Sequence, residues 1–67
     1  MDYIITRTEH YSTRVVDHSG DKRSAMSIAD AMSANSVWLG MYGRAYTVIN
    51  SATGETVYTV TDTLAVV

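Results

Sequence analysis

Three kinds of residue in this 67-residue chain could act on, or hold, another molecule. His10 and His18 are the only imidazoles, and Asp17 and Asp21 lie close to them in sequence. A zinc site needs three or four converging ligands at set spacings. These residues follow no such pattern and read as surface groups on turns, so the expected metal and cofactor complement is none. The serines (Ser12, Ser19, Ser24, Ser27, Ser33, Ser36 and Ser51) form the second kind. A nucleophilic serine needs an oriented base beside it, and none of these stands in a Gly-x-Ser-x-Gly context. The expectation is no catalytic residue and no enzyme. Arg7, Arg14, Arg44 and Tyr46 are the third kind. Arginine and tyrosine anchor protein interfaces and also stack on single-stranded nucleic acid. These four are the candidate partner-binding residues.

Chain length sets what can position them. A chain of 67 residues is a single domain, residues 1–67. Such a domain buries roughly 60% of the surface its unfolded chain exposes, and it usually needs a staple. The absence of cysteine removes disulfides and thiolate zinc sites. A well-packed core, a homodimer or a partner covering apolar surface are the routes left. Net charge is −2, from seven acids and five bases. That is the wrong sign for a dedicated DNA binder, whose affinity comes largely from neutralised phosphates. The opening residues carry no basic, apolar leader and no stretch reaches about 20 apolar residues. No membrane association and a cytoplasmic location are therefore expected.

Composition and periodicity then assign the elements. Tyr3–Thr8 and Tyr11–Val16 are rich in β-branched and aromatic residues and read as two strands with a tight or bulged reversal at Glu9-His10, or as one long bent strand. His18-Ser19-Gly20-Asp21 reads as a turn, with Asp21 or Ser19 capping a helix from Lys22 to Ala34. Ala25, Ile28, Ala29 and Met32 fall on one helical face, while Ser24, Ser27, Asp30 and Ser33 fall elsewhere. Asn35 is the expected stop. Val37–Gly43 is apolar with two glycines and reads as a packed connection, with Trp38 and Leu39 plugging the core. Gly40-Met41-Tyr42-Gly43 has the spacing of an RNA-clamping loop but no basic residue, and precedes a strand. It reads as a plain connection.

Arg44–Asn50 and Glu55–Thr61 form a hairpin across Ser51-Ala52-Thr53-Gly54, where Gly54 supplies the left-handed residue such a loop requires. That loop pairs Asn50 with Glu55, Val48 with Val57 and Tyr46 with Thr59. Ala45, Thr47, Ile49, Thr56, Tyr58 and Val60 then face the helix. Arg44, Tyr46, Val48, Val57, Thr59 and Thr61 form the open face, and a one-residue slip inverts the assignment. Leu64–Val67 reads as a short fifth strand or an apolar tail. The expected fold is α+β: a small antiparallel sheet in the order β-β-α-β-β with one helix on one face.

The layout resembles small phage-encoded inhibitors. Tyr3-Ile4-Ile5 at the start, a second strand, the Met26-Ser27-Ile28-Ala29 helix and the closing hairpin are most similar to a short type I-F anti-CRISPR protein. The topology is also similar to that of a phage inhibitor of RNA polymerase. The resemblance implies a phage-encoded protein that, in the host cytoplasm, binds a Cas surveillance complex and blocks target DNA, often through basic residues on a DNA-tracking surface. Bases are few here and the net charge is negative, so no binding residue is transferred from the family. The expected function is a phage or mobile-element inhibitor acting by steric occlusion of a host protein complex. The alternatives are an inhibitor of another host machine such as RNA polymerase, or a small nucleic-acid-binding regulator.

Overall fold

Four strands and one helix follow each other in the computed structural model, which describes residues 2–40 and 43–61. They are β1 (Tyr3–Glu9), β2 (Ser12–Ser19), α1 (Lys22–Trp38), β3 (Ala45–Asn50) and β4 (Thr56–Thr61). The sheet order is β2-β1-β3-β4, antiparallel throughout, so the two hairpins lie side by side along β1 and β3. This is the α+β architecture the sequence predicts, with α1 packed on one face. Met41, Tyr42 and the Leu64–Val67 segment lie outside the described residues.

Local chemistry fixes most element ends. The first reversal falls on His10-Tyr11, one residue later than expected, between the paired Glu9 and Ser12. His10 has φ 55, and histidine is among the few side chains that enter the left-handed region with any frequency. At the start of α1, Asp21 Oδ2 accepts from the Ser24 backbone N–H at 2.9 Å. The Ser19 hydroxyl accepts from the Asp21 N–H at 3.3 Å, so both proposed caps contribute, in different roles. Asn35 does not end the helix. The helix runs another turn to Trp38, and Gly40 (φ 74) takes the left-handed position beyond the Leu39 cap.

The helix buries Ala25, Ala29, Ser33 and Ser36. These small side chains let it lie close to the sheet, while Ile28 and Met32 flank the stripe half-buried. Ser33, expected on the wet face, belongs to the buried set. Beneath the helix, Ile5 and Val48 are 0% exposed and lie opposite each other on the central strands. Full burial of each such side chain stabilises by roughly 1.5–3 kcal/mol. Tyr58 donates a hydrogen bond to Asp30 Oδ1 and ties β4 to the middle of the helix.

The β3–β4 hairpin keeps its expected turn and changes register beyond it. Asn50 N–H donates to the Glu55 carbonyl at 2.8 Å, Gly54 N–H donates to the Asn50 carbonyl at 2.7 Å, and Gly54 has φ 76. Further along, Val48 pairs with Tyr58 and Tyr46 with Val60, because Val57 is an extra residue between Tyr58 and Thr56. A one-residue bulge reverses which side chains face each other across the remaining ladder. Tyr58 and Val60 face the helix as predicted, but their β3 partners are Val48 and Tyr46 instead of Thr47 and Ala45. The open-face assignment of Tyr46 and Val48 is therefore corrected. Tyr46 is 2% exposed and part of the core.

A matching bulge occurs in β2. Ile5 pairs with Asp17 and Thr6 with Val15, leaving Val16 as the extra residue. Both bulges sit level with the Ile5–Val48 pair, and both extra valines pack against the core.

Candidate interaction surface

Strand pairing brings the four sequence-predicted residues to one end of the sheet, on the helix side. Arg7 on β1 lies directly opposite Arg14 on β2 and, across its other edge, opposite Tyr46 on β3. Arg44 precedes β3 by one residue, and its Nε donates to Glu9 Oε2 at 2.8 Å. Arg7 Nη2 is 3.4 Å from Glu9 Oε1, so one carboxylate serves two guanidinium groups. Arg14 is exposed and makes no ion pair among the described residues.

The helix closes this group from above. The Ser36 hydroxyl and the Tyr46 phenol share a buried hydrogen bond of 2.5 Å, and Arg44 Nη1 donates to Ser36 Oγ at 3.4 Å. The last helical turn carries no basic residue of its own. Arg44, supplied by the chain leading into β3, reaches Ser36 in that turn, where helix carbonyls favour a cation. The hydrogen bond from Arg44, helped by its charge and that of Arg7, holds the Glu9 carboxyl below its ordinary range. The same hydrogen bond raises the Arg44 pKa.

The same end of the molecule exposes apolar bulk. Trp38 is 86% exposed and Leu39 58%, both just beyond Ser36 at the end of α1. Tyr11 is fully exposed in the β1–β2 turn, two residues beyond Glu9. The hydrogen bonds from Arg44 to Glu9 and Ser36 place both segments at this end. Trp38 and Leu39 were expected to plug the core, and the longer helix explains why they do not. Successive residues turn by about 100° around a helix, so Trp38 stands about 200° from the buried Ser36. Reading Gly40 as the stop would have shown this from the sequence.

Of the four predicted residues, Arg7, Arg14 and Arg44 thus form the charged part of the surface. Tyr46 supports it from beneath through Ser36. Trp38, Leu39 and Tyr11 are the surface residues that sequence reasoning assigned elsewhere. No pocket forms, and no group of three potential metal ligands converges, among the described residues. No described helix is long and apolar enough to cross a membrane. No protein-family model matches the chain, and no curated protein or solved structure matches it either.

Proposed function

We propose that this protein is a small docking domain that inhibits a partner protein complex by covering a surface the partner needs. The observation that carries this reading is that exposed Trp38, Leu39 and Tyr11 share one end of the molecule with Arg7, Arg14 and Arg44. Tryptophan, tyrosine and arginine supply most binding hot spots because they remove large areas from water while retaining a polar handle. A preorganised domain also loses little conformational entropy on docking. The molecule, 37 × 24 × 18 Å in extent, is bulky enough to obstruct a neighbouring path. The resemblance to small phage inhibitors supplies the class of target: a bacterial machine that handles nucleic acid, foremost a Cas surveillance complex.

Affinity capture from lysates of bacteria that contain such complexes tests the reading. The wild-type chain is expected to retain Cas subunits, and the Trp38→Ala variant to lose about tenfold or more in affinity while remaining folded. Recovery of polymerase subunits in their place would redirect the target and keep the mechanism. Equal retention of the complex by wild type and by a Tyr11→Ala, Trp38→Ala double variant would reject this end as the docking surface.

A further inference from the structure

Two features at the arginine end cost stability without compensation among the described residues. Arg7 and Arg14 are direct cross-strand partners, and like charges placed opposite each other in a sheet are destabilising. Arg7 Nε is buried and has no hydrogen-bond partner, which forfeits the water it would bind when exposed. Among the described residues Glu9 is the carboxylate that pairs with Arg7, and it also accepts from Arg44. Arg14 thus makes no ion pair among the described residues, in a chain whose overall charge is −2. The other described acids lie along the body (Asp17, Asp30) or at the far end (Asp2, Asp21, Glu55). Places where a chain breaks its own local rules are commonly functional sites.

From this we infer that the docking end takes an acidic protein surface, with carboxylates meeting Arg14 and Arg7 while apolar groups cover Trp38 and Leu39. This rests on the docking reading and adds the chemistry of the partner. It also sets the mode of inhibition. A basic nucleic-acid track would repel this end, so the domain docks on an acidic patch beside such a track and blocks it with its bulk. Arginine suits the task because its planar fork meets a carboxylate through two parallel hydrogen bonds. A protein surface is favoured over nucleic acid because Trp38 and Leu39 add aliphatic and aromatic area together, and because the remaining body is acidic.

Amide shift mapping on the labelled full chain tests the inference with three defined probes. These are a short alternating Glu/Leu peptide, a Gln/Leu peptide of equal length, and an oligodeoxythymidylate of similar length. The Glu/Leu peptide is expected to shift Arg7, Tyr11, Arg14, Trp38, Leu39 and Arg44, and to be released by added salt. Arg14→Glu should weaken that binding about tenfold, and Arg14→Gln by less. Arg14 is exposed on an outer strand, so both variants keep the fold. Equal binding of the Gln/Leu peptide at this end would overturn the acidic partner and leave the docking surface intact. Tighter binding of the oligonucleotide would assign the site to nucleic acid and overturn the inference. Shifts confined to other parts of the chain, or none, would also overturn it, and the lysate capture with Trp38→Ala would still decide the docking reading separately.

Discussion

Ser36 and Tyr46 show how one buried polar pair joins core and surface. The phenol fills space beside Ile5 and Val48, and its hydroxyl completes a chain running through Ser36 to Arg44 and Glu9. Tyr46→Phe keeps the ring and leaves Ser36 short of a partner. We expect a loss of about 1 kcal/mol in urea unfolding. Ser36→Ala should cost a similar amount and the double variant less than the sum, since both remove the same bond. Glu9 gives the corner a pH signature. Its folded-state pKa lies below the ordinary 4.5, so its contribution is complete above that value and is lost as pH falls through the lowered one. Asp21 behaves alike from its ordinary 3.8, because the Ser24 N–H stabilises its charged form. Tyr58 works in the opposite sense. The hydrogen bond to Asp30 raises its pKa above the ordinary 10.0. Its contribution is present below that value and is lost as pH rises through the raised one. The urea midpoint should therefore hold level between these limits and fall at both ends. In Glu9→Gln the acid limb should become shallower, and in Tyr58→Phe the alkaline limb should.

Element identity was largely legible, and element detail was not. The period-two runs of Thr, Val, Ile and Tyr, the Gly20-Asp21 entry and the Gly54 turn determine the elements through local chemistry alone. Gly54→Ala should cost about 1 kcal/mol in unfolding free energy, because a Cβ disfavours its left-handed φ, even though the space around it is open. Both bulges were invisible in the residue pattern. Val16 and Val57 are ordinary strand residues, and nothing in Val15-Val16-Asp17 or Thr56-Val57-Tyr58 marks the extra one. Packing on the helix selects it, and packing is a tertiary effect. Side-chain facing on β3 was consequently misread and Tyr46 placed in solvent. The helix end was misread for a different reason. Asn35 is a permissible stop, but Gly40 is a better one, and the intervening residues are adequate helix formers.

At the scale of the whole molecule the core is small: Ile5, Ala25, Ala29, Tyr46 and Val48 are its fully buried apolar residues among those described. Such a domain has only a few kcal/mol in reserve. Ile5→Ala, at about 3 kcal/mol, should leave it largely unfolded at room temperature by circular dichroism. Ile5→Val, at about 1 kcal/mol, should be tolerated. The surface residues named for docking lie outside this core, which is why their substitution can be read as binding. The paired valine bulges have one more consequence, which concerns what the chain does at high concentration. Sheet edges left regular are templates for further strands, and β4, with no charged residue in Thr56–Thr61, has the composition of a fibril-forming segment. The bulges interrupt both outer strands at the level of the core, so neither edge presents an unbroken row of donors and acceptors. Deleting Val57 should straighten β4 and yield thioflavin-positive aggregates under conditions that keep the intact chain dispersed. The residues that complete the core are thus also what keeps one molecule's sheet from growing into the next.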